Sequence, residues 1–198
     1  EYLTDHQRII FNGNGYSDEW VAEAEKRGLP NIKSMVEAIP ALTTEKAVDL
    51  FGKFGVFTKA ELESRAEIKY EAYSKAINIE ARSMIDIASK HIIPAVIQYV
   101  TSLANSINQV KQACTAAYTG VQEELLVQSA DLLKDTKEAL RALETVVAEV
   151  PETEGKEQAF FFMQKVVPAM EALRKPVDEL EMIVNKNMWP RTSPRTST

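Results

Sequence analysis

The stretch LLVQSADLLKDTKEALRALETVVAEV, residues 125–150, decides the fold of this chain. Its apolar and small residues form three series, each with members seven apart: Leu126, Leu133, Leu140 and Val147; Ser129, Thr136, Leu143 and Val150; Leu125, Leu132, Ala139 and Val146. Because an α-helix has about 3.6 residues per turn, all of these positions share one stripe, and the charged residues lie off it. The stretch therefore predicts a long helix with one buried side.

Two more segments with helical periodicity flank this one. The first begins at Thr58, which makes a capping box with Glu61, and is expected to reach about Leu103, with a kink at Pro94. The third follows the polar turn at residues 151–155 and is interrupted by Pro168 and Pro176. The sequence thus predicts an all-α fold with a long antiparallel three-helix bundle over residues 58–187.

Outside the bundle, the sequence predicts a lead-in and a tail. Residues 1–57 are expected to hold a short strand or extended run at residues 8–11, an Asn-Gly-Asn-Gly turn and short helices. Residues 188–198 are expected to form a disordered tail, and residues 191–198, rich in Ser, Thr, Arg and Pro, need not be native.

Composition narrows the class of protein. The 198 residues carry a net charge of −6, which argues against a nucleic-acid or anionic-membrane surface. The single cysteine, Cys114, suits a reducing compartment and is expected in the core. No run of about 18 apolar residues is present. Because the chain begins with Glu1, we expect it to be part of a longer protein.

The sequence predicts no catalytic, cofactor-binding or metal-ligating residue. Helical bundles that hold two iron atoms need Glu-x-x-His pairs. The residues three before His6 and His91 are Leu3 and Ala88, so neither histidine fits this motif. His91 is expected to cap nearby carbonyl groups or to face solvent.

One loop is a candidate site. It consists of Asn12, Gly13, Asn14, Gly15 and, opening the next helix, Ser17. A phosphate cradle is one interpretation, because helix N-termini bind anions. A tight turn is the other, and it is favoured because the Gly-Lys pair of a phosphate-binding loop does not follow.

The aromatic residues near the third helix are candidates for an interface. Phe160, Phe161 and Phe162 are consecutive, so they cannot all face one core. The third helix carries its own apolar stripe, which includes Phe162, Met170 and Val177. Phe160 or Phe161 should therefore contact another element or subunit. Trp189 is a further interface candidate.

Five segments together resemble one family. They are residues 8–17 (RIIFNGNGYS), 23–31 (EAEKRGLPN), 79–82 (IEAR), 91–95 (HIIPA) and 187–190 (NMWP). In this order they resemble the C-terminal region of type III glutamine synthetase, the large bacterial form. The family continues into a short hydrophobic ending where this chain has the polar residues 191–198.

The resemblance implies a parent enzyme that joins ammonia to glutamate with ATP and Mg²⁺ or Mn²⁺ in the cytoplasm. It also implies that the catalytic residues lie ahead of this region, and that the helical part is attached to a double-ring dodecamer. The partners would be the enzyme's own catalytic domain and its other subunits.

Three functions remain open at this point. The first is an assembly and interface module. The second is a regulatory or active-site-adjacent module that acts through residues 12–17. The third is a free-standing helical adaptor.

Overall fold

A computed structural model describes residues 2–190 of the chain, with the side chain of Leu3 left aside. Two compact units are present, Glu1–Ala66 and Glu67–Thr198. Their boundary falls inside the first long helix and not at residue 57. No β-strand occurs within residues 2–190, so the predicted all-α fold is confirmed.

The first unit contains short helices. They are α1 (Tyr2–Asp5), a 3-10 helix (Gln7–Ile9), α2 (Asp18–Lys26), α3 (Met35–Ala38), a second 3-10 helix (Ile39–Thr43) and α4 (Glu45–Lys53). The side-chain oxygens of Ser17, Ser34 and Thr44 accept backbone N–H groups at the starts of α2, α3 and α4. Gly28 has a φ of 68°, and its left-handed backbone ends α2.

The segment at residues 8–11 departs from the prediction. The part through Ile9 is 3-10 helix, and Ile10, which follows it, is extended, with φ −93° and ψ 121°. Ile9 is 61% exposed, so the segment lacks the buried face that would hold a strand in a sheet.

Three long helical stretches build the second unit, and the first of them begins within the first unit. They are α5 (Lys59–Ile87), which continues through a π-helical turn (Ala88–Ile92) into α6 (Ile93–Ala113); α7 (Gly120–Ala148); and α8 (Lys156–Phe161), which continues through a π-helical turn (Phe162–Val166) into α9 (Val167–Ile183). The predicted capping box is present, because Thr58 N–H donates to Glu61 Oε2 at 2.7 Å and Glu61 N–H donates to Thr58 Oγ1 at 3.3 Å.

Two buried clusters show the direction of the helices. The first joins Ala81 and Ala88 to Leu143, Phe162 and Leu173. The second joins the later residues Ile92 and Val96 to the earlier α7 residue Leu132 and to Leu180 and Val184, near the end of the third stretch. Residue numbers therefore rise along the first and third stretches and fall along α7, as in an antiparallel three-helix bundle.

The stripe of α7 is buried as predicted. Ser129, Thr136, Leu140 and Leu143 are each 0% exposed. The other stripe positions from Leu125 to Val150 are half-buried, whereas Lys134 and the other charged residues between them are exposed. Burial along one face thus follows the helical period of the sequence.

Each interruption at Pro94 and Pro168 is a widened turn that precedes the proline. The N–H of Ile93 donates to the carbonyl of Ala88, and that of Val167 donates to Phe162, in both cases five residues back. A proline cannot donate to the carbonyl four residues back, and its ring crowds that carbonyl. Both helices absorb the defect as a π-turn and continue.

Two element boundaries predicted from the sequence were wrong. The first long stretch ends at Ala113, not near Leu103. Cys114 follows as its C-terminal cap and is exposed, so it is not a core residue. At the other end of the bundle, Met188 and Trp189 pack against the second cluster, although the sequence assigned them to a disordered tail. The rest of that predicted tail, residues 191–198, lies outside the described residues.

Candidate functional site

The candidate loop, residues 12–17, forms a tight turn around Asn14. The side-chain Oδ1 of Asn14 accepts the N–H of Tyr16 at 3.0 Å, and its carbonyl accepts the hydroxyl of Ser17 at 2.9 Å. Asparagine favours such turns because its short side chain can replace a backbone acceptor. Ser17 then caps α2 by accepting the N–H of Trp20 at 3.3 Å.

The ring of Phe11 leaves little room for a side chain at Gly13. A Cβ at Gly13 would lie 2.7 Å from the ring of Phe11. Phe11 is itself stacked on Trp20, with ring centroids 4.4 Å apart. A larger residue at position 13 would therefore displace the aromatic pair that joins the loop to α2.

A single arginine fastens the segment ahead of the loop. Nη1 of Arg27 donates to the carbonyl of Ile10 at 2.7 Å and, at longer distances, to those of Gln7 (3.4 Å) and Arg8 (3.5 Å). Its Nε donates to Glu23 Oε1 at 2.7 Å. Arg27 thus links the end of α2 to the chain before residues 12–17, and we call Arg27, Glu23 and these three carbonyls the Arg27 clamp.

The clamp is reinforced by charge and by an aromatic ring. The hydrogen bond from Arg27, together with its positive charge, lowers the pKa of Glu23 below its ordinary value. The guanidinium carbon also lies 5.6 Å from the centroid of the Trp20 ring, within cation–π range. Sequence reasoning did not find the clamp, although the Glu23–Arg27 spacing of four within a helix could have pointed to the ion pair.

The loop presents one aromatic side chain. Tyr16 is 100% exposed, and residues 12–17 carry no charged side chain. Only the backbone N–H of Tyr16 is held by the turn, so the loop presents an exposed tyrosine ring to solvent.

The predicted aromatic interface residues lie in different surroundings. Phe162 is 2% exposed and belongs to the first buried cluster. Phe161 is half-buried and packs against that cluster. Phe160 is half-buried beside Lys156, whose Nζ lies 5.8 Å from its ring centroid. Trp189 is half-buried against the second cluster, so part of its ring is already used within the chain.

The histidines do not join any cluster. His6 and His91 are both exposed. In the part of the chain that the structure describes, no group of three or more His, Cys, Asp or Glu residues is placed to hold a metal ion. No helix within residues 2–190 is long and apolar enough to cross a membrane.

Comparison with known proteins identifies the family. A family model described as "Glutamine synthetase C-terminal domain" matches residues 1–111, more than half of the chain. Three curated relatives are similar over nearly all of it. They are a glutamine synthetase of Butyrivibrio fibrisolvens (39% identical, 93% of this chain), a type-3 glutamine synthetase of Dictyostelium discoideum (34%, 95%) and a glutamine synthetase of Bacteroides fragilis (31%, 96%).

The chain spans only 26–27% of the length of these relatives. The likeness therefore concerns one part of each of them, and it extends to Dictyostelium as well as to the other two organisms. A family model that matches more than half of the chain nevertheless shows the family to which the chain belongs. The chain belongs to the glutamine synthetase C-terminal domain family.

Proposed function

We propose that this chain is the C-terminal helical domain of a type III glutamine synthetase and serves it as an assembly and interface module. The type III assignment is supported by the Dictyostelium relative, which carries that name. Family membership removes support for a free-standing adaptor.

In this proposal, the parent enzyme joins ammonia to glutamate with ATP and Mg²⁺ or Mn²⁺ in the cytoplasm. Its catalytic residues lie outside this chain. The partners of the chain are its own catalytic domain and the other subunits of a dodecamer.

The observation that carries the interface role is an apolar strip on the outside of α5. Ile68 is 59% exposed and Ile79 is 66% exposed. They are eleven residues apart in sequence, so they lie only about 20° apart around the helix axis. The exposed residues Ala72 and Ala76 lie between them, and we call these four residues the outer stripe. A well-ordered helix gains little by exposing isoleucines unless a partner covers them.

The test is to make Ile68→Ser and Ile79→Ser together in the full-length parent protein. We expect a smaller particle by light scattering. The melting temperature of the 198-residue chain should change little, because both side chains are already exposed. The matched control is Lys69→Ser with Glu80→Ser, two exposed positions on the same helix. An unchanged particle in the stripe variant, or an equal loss in the control, would contradict the interface role.

The absence of catalytic residues in this chain has its own test. The 198-residue chain should form no glutamine from glutamate, ammonia, ATP and Mg²⁺. A preparation free of host synthetase that turns over above background would refute this part of the proposal.

A second candidate function rests on the Arg27 clamp and on Tyr16. A clamped loop that presents a fully exposed tyrosine suits a regulatory or active-site-adjacent module. In the full-length protein, Tyr16→Ala should then change kcat or KM while the particle size stays constant. If the particle size changes and the kinetic constants do not, the loop belongs to the assembly function instead.

A further inference from the structure

A cavity of about 470 Å³ lies between α5, the end of α7 and the start of α8. Its polar lining comes from Ser74, Asn78 and Arg82 on α5 and from Glu154 and Gln158 beyond α7. On α5 these residues are four apart, so they form one line along the helix. The volume falls within the range of about 300–1,000 Å³ that is usual for small-molecule sites.

An unpaired hydroxyl lies among the deepest residues of this cavity. Ser74 is 2% exposed, and its Oγ finds no hydrogen-bond partner among the described residues. Buried hydroxyl groups are nearly always hydrogen-bonded, since an unpaired one is unfavourable. Ser129 is also buried and unpaired, but it does not line this cavity.

Two half-buried side-chain amides, Asn78 and Gln158, also line the cavity, and each already makes one hydrogen bond. Arg82 Nε donates to Asn78 Oδ1 at 3.0 Å, which leaves the Asn78 NH₂ group as a donor. Gln158 Nε2 donates to the carbonyl of Pro151 at 2.8 Å, which leaves Gln158 Oε1 as an acceptor. One donor and one acceptor in the same cavity lining can complement the two polar groups of a primary amide.

Charged groups of both signs form the rim. Lys75 and Arg82 supply cations, and Glu154 supplies a carboxylate. Lys75 pairs with Glu71, whose hydrogen bond is the main cause of its raised pKa, and the charge of Glu154 adds to this. Arg82 forms no ion pair with any described residue and donates only to the neutral Asn78.

We propose that this cavity binds an α-amino acid with a neutral amide side chain. The amide group lies against Ser74, Asn78 and Gln158. The α-carboxylate meets Arg82 at the rim, and the α-ammonium group meets Glu154. Val147, Val150 and Phe162 provide apolar contact for the methylene groups between the two ends. Binding does not depend on the function proposed above, because every contact is made within this chain.

The first experiment compares ligands by calorimetry with the 198-residue chain. L-Glutamine is the probe. L-Norleucine lacks the polar end, and L-glutamate would bring a charged end to a largely buried hydroxyl, which is costly. We expect both to bind about tenfold more weakly than L-glutamine, or weaker still, as the loss of hydrogen bonds at buried groups implies. Equal affinities, or no heat with millimolar L-glutamine, would overturn the proposal.

The second experiment uses the two unpaired serines as a matched pair. Ser74→Ala should weaken L-glutamine binding about tenfold, whereas Ser129→Ala should leave it unchanged. Neither change should lower the melting temperature, because each removes a buried hydroxyl without a partner. A lower melting temperature for Ser74→Ala alone would mean that its own helix already uses this hydroxyl, and would overturn the proposal. Equal weakening of binding by both changes would also overturn it.

Arg82→Gln tests the other end of the ligand. It should weaken L-glutamine binding about tenfold, since it removes the cation that meets the α-carboxylate. Arg174→Gln, at an exposed arginine paired with Asp178 on α9, is the control and should have no effect. Unchanged binding in Arg82→Gln would contradict the proposed orientation and with it the proposal.

Discussion

Nη1 of Arg27 lies 2.7 Å from the carbonyl oxygen of Ile10, and this contact joins two segments that are 17 residues apart in sequence. A charged donor makes a stronger hydrogen bond to a carbonyl than a neutral donor does. Because the planar guanidinium also reaches Glu23, one side chain orders both the end of α2 and the chain that leads into residues 12–17.

The first prediction concerns this contact. Arg27→Ala should lower the local stability of residues 8–17 by about 1–3 kcal/mol, the cost of losing charge-assisted hydrogen bonds. Arg27→Lys should restore only part of it, since an ammonium group cannot reproduce the fork of donors. Hydrogen exchange of the amides in residues 8–17 measures the effect. Lys26→Ala is the control, and equal protection in Arg27→Ala and Lys26→Ala would refute the clamp.

The second prediction concerns the capping box that opens α5. Thr58→Ala should destabilise the chain by about 1 kcal/mol, as the loss of an N-cap usually does. Lys59→Ala should cost less than about 0.5 kcal/mol, because its ion pair with Glu63 is exposed. Denaturant unfolding of both variants gives the comparison.

The same capping box predicts a pH dependence. Hydrogen bonds from the backbone N–H and hydroxyl of Thr58 lower the pKa of Glu61. The folded-state pKa of Glu61 is thus below the unfolded value, so the stabilisation is complete above the unfolded pKa and is lost as the pH falls through the folded pKa. Glu61→Gln should flatten this part of the acid limb in melts from neutral pH downward. An acid limb identical to that of the parent chain would show that Glu61 does not contribute.

The third prediction concerns the core of the bundle. Leu140 is 0% exposed, so Leu140→Ala should cost about 2–5 kcal/mol. Leu133→Ala should destabilise the chain less, because Leu133 is half-buried. Lys134→Ala, at an exposed position, should cost under about 0.5 kcal/mol. Denaturant melts should therefore rank the three variants in that order. Equal losses of stability in Leu140→Ala and Lys134→Ala would contradict the buried stripe of α7.

The periodicity of apolar residues was sufficient to predict the bundle. A helix that buries one face must carry apolar residues at the helical period, so the sequence shows which face is buried. The stripe of α7 and the capping box at Thr58 are both local patterns, and both are present in the structure. The end of the first long stretch was harder to predict. Residues 104–113 include two Asn and one Ser, which have poor helix propensity, yet α6 stays helical as far as Ala113 and packs on α7. Cys114 directly follows this helix and is exposed, which is why it does not lie in the core.

Contacts between residues that are far apart in sequence could not be predicted from it. The Arg27 clamp joins a helix end to a segment about 20 residues earlier, and nothing in the local pattern of either part requires it. The cavity at Ser74 depends on the turn after α7 lying beside α5. A serine within a helix otherwise looks like an ordinary small residue. The two π-turns could not be predicted either. Pro94 and Pro168 show that a backbone N–H donor is missing, but not that the helix responds with a wider turn.

The last prediction concerns the three consecutive phenylalanines. Successive helical residues point about 100° apart, and Phe162 takes the buried direction. We expect Phe160 to contact another domain or subunit, because its half-exposed ring still has on the order of 1 kcal/mol of burial to gain. Phe160→Ser in the full-length protein should reduce particle size by light scattering, while the melting temperature of the 198-residue chain stays within about 2 °C.

The two neighbouring rings serve as controls for that experiment. Phe161 packs partly on the first cluster, so Phe161→Ser should affect both assembly and melting temperature. Phe162→Ser should destabilise the chain most, by about 3–5 kcal/mol or more, because it empties a fully buried site and places a hydroxyl there. If Phe160→Ser leaves the particle intact and lowers only the melting temperature, its ring is used within the chain and the interface lies elsewhere.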